Sequence, residues 1–384
     1  MGPIKLFASY VFSLAARGML SPLKLLPVNK RRVLFVSFRG KQYSCSPKAI
    51  SEELEKADRE KADRGLELVW AFHEPERFAF LKERGIKVVG DRSPKFLYYA
   101  LTSRVVCTNA YYKPFLPRRK SQFYLRTWHG GGAYKRVNYP KGLYGAYIKL
   151  QQQGASVYLS SSKAFTQMTL RDSFGFSGEV IEKGLPRNDL LVSGKWLKKG
   201  QDVKKELGFA GKKLCLYAPT YRDGGRPFPA PDADRLRAAL EKRFGGQWVL
   251  CCRGHHVNDA SNAFRADKDL SAYGDMQPLL MAADALVTDY SSSIWDMSLT
   301  GKPAFLYCPD LKEYKSERDF YTDIRSWPFP LSQSDEELEK NVLSFDAEKY
   351  AEDVKRHHEK LGSAESGNAA GFAAQRILKE CGLE

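Results

Sequence analysis

The run Val33-Leu34-Phe35-Val36-Ser37-Phe38 is apolar on both of its alternating faces. A strand of that kind belongs inside a parallel sheet covered on both sides. Outward from it, helical stretches over 47–57, 75–84, 95–102 and 164–174 alternate with strand-like runs over 66–72, 86–89, 104–108, 123–128, 157–160 and 179–182. The alternation begins again with strands over 213–218, 248–252, 285–288 and 304–307, separated by helical stretches over 233–244, 276–283 and 291–299. Helical stretches over 334–343, 347–361 and 368–381 close the chain. This is βαβ logic, and it predicts an α/β protein of two doubly wound, Rossmann-like domains. The boundary falls in 184–199, where Gly184-Leu185-Pro186-Arg187-Asn188-Asp189 has linker character. Residues 31–187 are the first domain, 188–384 the second, and 1–30 stand apart. Open α/β sheets bind ligands beyond their strand C-termini, so facing domains put the site between them.

Hydrophobic residues make up 43% and charged residues 28% of the 384 positions. That balance excludes a disordered chain, a collagen and a polytopic membrane protein. The net charge is +16, and it is unevenly placed. Residues 1–51 hold nine Lys/Arg and no acid, and the segment Arg92 to Arg171 holds fourteen Lys/Arg and again no acid. The second block also carries ten of the twenty tyrosines. An anionic partner follows, and this mixture suits a membrane interface or single-stranded nucleic acid. The seven cysteines form no C-x-x-C pair and sit in apolar runs, as free, buried thiols of a reducing compartment do.

In residues 3–20, Lys5, Ser9, Ser13 and Arg17 stack on one helix face, with Ile4, Phe7, Val11 and Leu14 opposite. The uncharged run from Leu6 to Ala16 is too short to span a bilayer, and basic residues follow it at Lys24 and Lys30–Arg32. An amphipathic helix lying in the membrane surface is expected. A helix packed on the domain and a cleaved leader are the alternatives, the free thiols arguing against export.

No dinucleotide fingerprint, Walker A motif, zinc spacing or nucleophile elbow is present. Polar residues at strand ends carry the chemistry instead. His129 ends a buried strand and precedes Gly130-Gly131-Gly132, with Lys135 and Arg136 beyond. A neutral imidazole there suits a general base, and glycines allow close approach. Arg253-Gly254-His255-His256 follows another strand; Arg and His suit a phosphate, and one of the two adjacent imidazoles faces the cleft. Asp289, Ser291, Ser292 and Asp296 lie where a strand turns into a helix, with serine hydroxyls available to phosphate or as caps. Pro219, Thr220 and Arg222 end the first strand of the second domain, and Arg318 follows its last.

In order, Trp128-His129-Gly130, Gly184–Asp189, Tyr217–Arg222, Arg253-Gly254-His255, Thr288–Ser292 with Asp296, and Arg318–Asp323 resemble the CDP-glycerol:poly(glycerophosphate) glycerophosphotransferase family. The resemblance covers roughly 30–330 and implies a glycosyltransferase-B-type pair of domains at the cytoplasmic face of the cell membrane. It implies transfer of glycerol or ribitol phosphate from a CDP-polyol to an undecaprenyl-pyrophosphate-linked acceptor in teichoic acid synthesis. His129 would take the acceptor proton, and His255 would steady phosphate charge. Pro219, Thr220, Arg222, Arg253, Asp289, Ser291, Ser292, Asp296 and Arg318 would hold the donor. Gly130, Lys135 and Arg136 would meet the lipid pyrophosphate. The basic half would serve the anionic membrane rather than nucleic acid. No cofactor is called for beyond the donor, and a divalent metal is left open. Many members read His-Gly-Thr-Pro-Leu-Lys where this chain has His129-Gly130-Gly131-Gly132-Ala133-Tyr134-Lys135, a version more like the primases, as is the absence of a long N-terminal extension. A nucleotide-sugar glycosyltransferase of the same fold and a non-catalytic binder of anionic surfaces are the rival readings; the latter needs no His at a strand end.

Overall fold

The computed structural model describes residues 2–60, 65–110, 113–132, 134–137, 142–152, 154–194, 196–220, 222, 229–254, 264–317 and 319–384. Among the described residues the first sheet has seven strands: Asn29–Val36 (β1), Glu67–Phe72 (β2), Lys87–Gly90 (β3), Ser103–Thr108 (β4), Phe123–Arg126 (β5), Val157–Ser160 (β6) and Glu179–Glu182 (β7). All are parallel, in the order β3-β2-β1-β4-β5-β6-β7. The second has six parallel strands: Lys213–Tyr217 (β8), Trp248–Cys252 (β9), Lys268–Asp269 (β10), Ala285–Thr288 (β11), Ala304–Tyr307 (β12) and Leu331–Ser332 (β13). Their order, β10-β9-β8-β11-β12-β13, repeats the doubly wound pattern. Val33–Val36, β8's Leu214–Tyr217 and all of β11 are buried, which is why these strands read as unbroken apolar runs.

Several elements depart from expectation for local reasons. β10 and β13 have two residues each, too short to show a period. The stretch expected as an ordinary helix over 164–174 is a π-helix, Phe165–Ser173, with Phe174 N–H donating to the Thr169 carbonyl five residues back. All seven cysteines are free and buried.

The last helix, Ala369–Glu380, corrects the assignment of 188–384 to one unit. Ala373, Ala374, Ile377 and Leu378 belong to the core of the first sheet, with Val33, Ile50 and Cys107. The Arg104 guanidinium fastens its end through the Glu380 carboxylate at 2.6 Å. The chain therefore crosses between domains twice, near 184–189 and again near 362–369.

The N-terminal helix α1, Pro3–Leu20, turns its stripe of polar residues the other way from a surface helix. Ser13 is buried, and Arg17 donates to the Pro114 and Leu150 carbonyls at 2.6 and 3.1 Å, so this face grips the domain. Ile4, Phe7, Val11, Phe12, Leu14 and Met19 are exposed. By length and composition, Ile4–Leu25 is enough to cross a membrane despite its charges, which revises the expectation that it is too short.

Candidate active site

The two sheets face each other across a cleft of about 880 Å³ at their strand C-termini. Each domain fixes its switch point with the same device. In the first, the Phe38 N–H after β1 donates to Asn109 Oδ1 after β4, at 2.8 Å. In the second, the Thr220 N–H after β8 donates to Asp289 Oδ1 after β11, also at 2.8 Å. The ends of the four central strands are thereby locked, and the loops beside them inherit fixed positions.

His129 leaves β5 through Trp128, whose φ of 55° turns the chain sharply towards the cleft. Its Nδ1 lies 2.8 Å from the Asn109 carbonyl oxygen, which can only accept, so Nδ1 carries the proton. In the neutral ring Nε2 is then the lone-pair nitrogen. Burial pushes the imidazole pKa down to about 4, against the pull of that carbonyl, and the Arg187 and Arg39 charges push the same way. The ring is therefore neutral throughout the physiological range, with the Nε2 lone pair available.

The glycines after it sit where other groups come close, most tightly at Gly132. A Cβ on Gly130 would lie 3.1 Å from Ser292 Oγ, and one on Gly132 would lie 2.1 Å from the Tyr134 ring and 2.9 Å from Trp295. The His129 loop thus touches the serine turn of the opposite domain.

Of the residues expected at the site, His129, Gly130, Lys135 and Arg136 line the cleft from one side. Pro219, Thr220, Arg253, Ser291, Ser292 and Asp296 line it from the other. Arg253 spends little on protein: Nη1 is 3.5 Å from Met276 Sδ, Nη2 donates to the Tyr273 carbonyl at 3.3 Å, and Nε has no partner among the described residues. Such a guanidinium, facing a cleft, can serve an anion. Arg136 shares its charge with Asp319 at 3.6 Å.

Two expected donor contacts are placed differently. Arg222 and Asp289 stand behind the cleft wall. Arg222 is buried and bridges Asp289 at 2.8 Å and Asp310 at 2.7 Å, while Asp289 also accepts the Thr220 N–H. They shape the turn rather than face a ligand. Asp296 reaches the wall, but its carboxylate is held by Arg187 at 2.7 Å. His255 and Arg318 lie outside the described residues.

Sequence reasoning read Arg187 only as part of a linker and motif. Its side chain is only 7% exposed, donates to the His129 carbonyl at 2.7 Å, and joins that loop to Asp296 of the second domain. Asn109 was also missed; a polar residue directly after the apolar run of β4 was its signal. Among the described residues no group of three or more His, Cys, Asp or Glu is arranged to hold a metal.

A profile of CDP-glycerol:poly(glycerophosphate) glycerophosphotransferases matches residues 19–379. The chain belongs to that family. As a member it is a transferase. It is 28% identical over 374 residues to a teichoic acid poly(glycerol phosphate) polymerase of Bacillus spizizenii, covering 92% of this chain and 93% of that one. It is 30% identical over 387 residues to a teichoic acid glycerol-phosphate transferase of Staphylococcus aureus, covering 93% and 95%. Among solved structures, the wall teichoic acid polymerase TagF superposes with a TM-score of 0.78 at 23% identity, covering 100% of this chain and 99% of that one. That likeness establishes a shared fold.

Proposed function

We propose that this transferase works in teichoic acid synthesis, moving glycerol phosphate from CDP-glycerol to a hydroxyl of a lipid-linked acceptor at the membrane surface. The observation that carries the reading is the meeting of the His129 loop with the Ser291–Ser292 turn. A proton acceptor on one domain and candidate phosphate-binding groups on the other, Ser292 and Arg253 among them, share one cleft. Phosphoryl transfer needs little more than positioning and charge stabilisation. In this reading Ser291, Ser292, Thr220 and Arg253 hold the donor diphosphate. His129 Nε2 takes the acceptor proton as the hydroxyl oxygen bonds to phosphorus and CMP leaves. His255 steadies phosphate charge and Arg318 helps to hold the donor. Lys135 and Arg136 meet the acceptor's pyrophosphate.

The His-Gly-Gly-Gly loop supports addition of a first unit, as a primase does. The exposed apolar row of α1 supports peripheral attachment to the membrane. The test is incubation with labelled CDP-glycerol, CDP-ribitol and nucleotide sugars, together with a synthetic undecaprenyl-pyrophosphate disaccharide. One glycerol phosphate added per acceptor is the expected product. Transfer from a nucleotide sugar alone would overturn the reading.

A further inference from the structure

Five residues past His129, the chain buries a first-domain side chain in the core of the second domain. Tyr134 stacks on Trp295 with ring centroids 3.6 Å apart and planes within 7°. Trp327 meets its edge at 5.0 Å, and its hydroxyl lies 3.1 Å from His357 Nε2. The backbone is held as well. The Tyr321 N–H donates to the Tyr134 carbonyl at 2.8 Å, the Arg136 N–H donates to the Asp319 carbonyl at 2.9 Å, and Lys135 pairs antiparallel with Phe320. Upstream, Arg187 joins the His129 carbonyl to Asp296, the neighbour of Trp295 on the helix Ser293–Ser298.

From this geometry we infer that Tyr134 is a positioning residue: stacked on Trp295, it ties the His129 loop to the helix that follows the donor-side serines. The loop is thus attached at both ends to one short segment of the opposite domain. His129 Nδ1 is also held by the Asn109 carbonyl of the first domain, so the loop spans the two domains and sets the distance between the base and the donor-side helix. The substitution-intolerant Gly132 lets the loop fold under the Tyr134 ring to reach this anchor. The inference rests on the reading of His129 as the base.

The experiment compares Tyr134→Ala, Tyr134→Phe and His129→Ala in the full chain, measuring turnover, donor KM and equilibrium CDP-glycerol binding. Tyr134→Phe keeps the stack and should turn over as the parent does. Tyr134→Ala should lose roughly 10–100-fold in kcat, the cost of misplacing a reacting group by about an ångström, with CDP-glycerol affinity within about twofold of the parent. If the alanine variant does not fold, Tyr134→Leu, which keeps apolar volume without a stacking face, carries the same expectation. A folded, unstacked variant with parental kcat overturns the inference, as does a loss confined to donor binding or an equal loss in Tyr134→Phe. If His129→Ala turns over normally, the reading of the base has failed instead.

Discussion

At the scale of single residues, His129 is defined by what its ring nitrogens can do. Replacing it with Ala should lower turnover by about 10²–10⁴-fold, the usual contribution of a general base. CDP-glycerol binding, measured by calorimetry, should survive. Because its pKa sits at about 4, the acidic limb of kcat/KM should fall well below the 6.5 of an ordinary imidazole. A limb centred near 6.5 would show a solvated histidine or a different base. Glu365 makes the opposite case. Its carboxylate accepts from the Leu185 N–H and Asn188 Nδ2 at 3.1 and 3.0 Å, yet burial lifts its pKa to about 8. The folded protein therefore holds this proton between pH 4.5 and about 8 while the unfolded chain releases it, so this group's contribution to stability declines as pH rises through that window. Glu365→Gln is neutral at every pH. Its urea midpoint should gain on the parent's between pH 5 and 8.5. A constant difference would mean that Glu365 is not held protonated.

At the scale of elements, the serine turn and α1 give separable tests. Ser292→Ala removes one hydroxyl from the several groups proposed to hold the donor, so donor affinity should weaken by about 1–2 kcal/mol while acceptor KM holds. Unchanged donor affinity would leave Ser292 a structural turn residue. In α1 the grip and the free face are different side chains. Phe7 and Phe12 are 59% and 66% exposed, whereas Arg17 is engaged with the domain. The double substitution Phe7→Asp, Phe12→Asp should abolish flotation with anionic vesicles while the melting temperature stays within a few degrees. Arg17→Ala should instead loosen the helix. Unimpaired flotation of the double variant would move the attachment to the Tyr- and Arg-rich block.

At the scale of the molecule, legibility followed burial. The central strands β1, β4, β8 and β11 were plain in the sequence because covered faces demand unbroken apolar runs. β10 and β13 were not, because two residues carry no period. The site was legible where chemistry is local: a His at a strand end before glycines, serines at a turn, an arginine after β9. It was not legible where partners are remote. Nothing near Arg222 in sequence announces Asp310, and nothing near Arg187 announces Asp296. The closing helix was recognised as a helix, but its amphipathic pattern names no partner, and proximity in sequence pointed to the wrong domain.

That helix also orders events in time. The first domain's strands are complete once the ribosome passes Glu182, but Ile377 and Leu378, which cover them, come only after the whole second sheet has been made. At about 5–20 residues per second the wait is on the order of ten to forty seconds. During it the surface around Val33, Ile50 and Cys107 lacks the cover that the closing helix later gives it. A fragment of residues 1–187 should therefore aggregate on expression, and supplying 366–384 through a flexible linker should return it to solution. The part of this protein made first is finished last, and for about half of its synthesis that hydrocarbon waits for its cover.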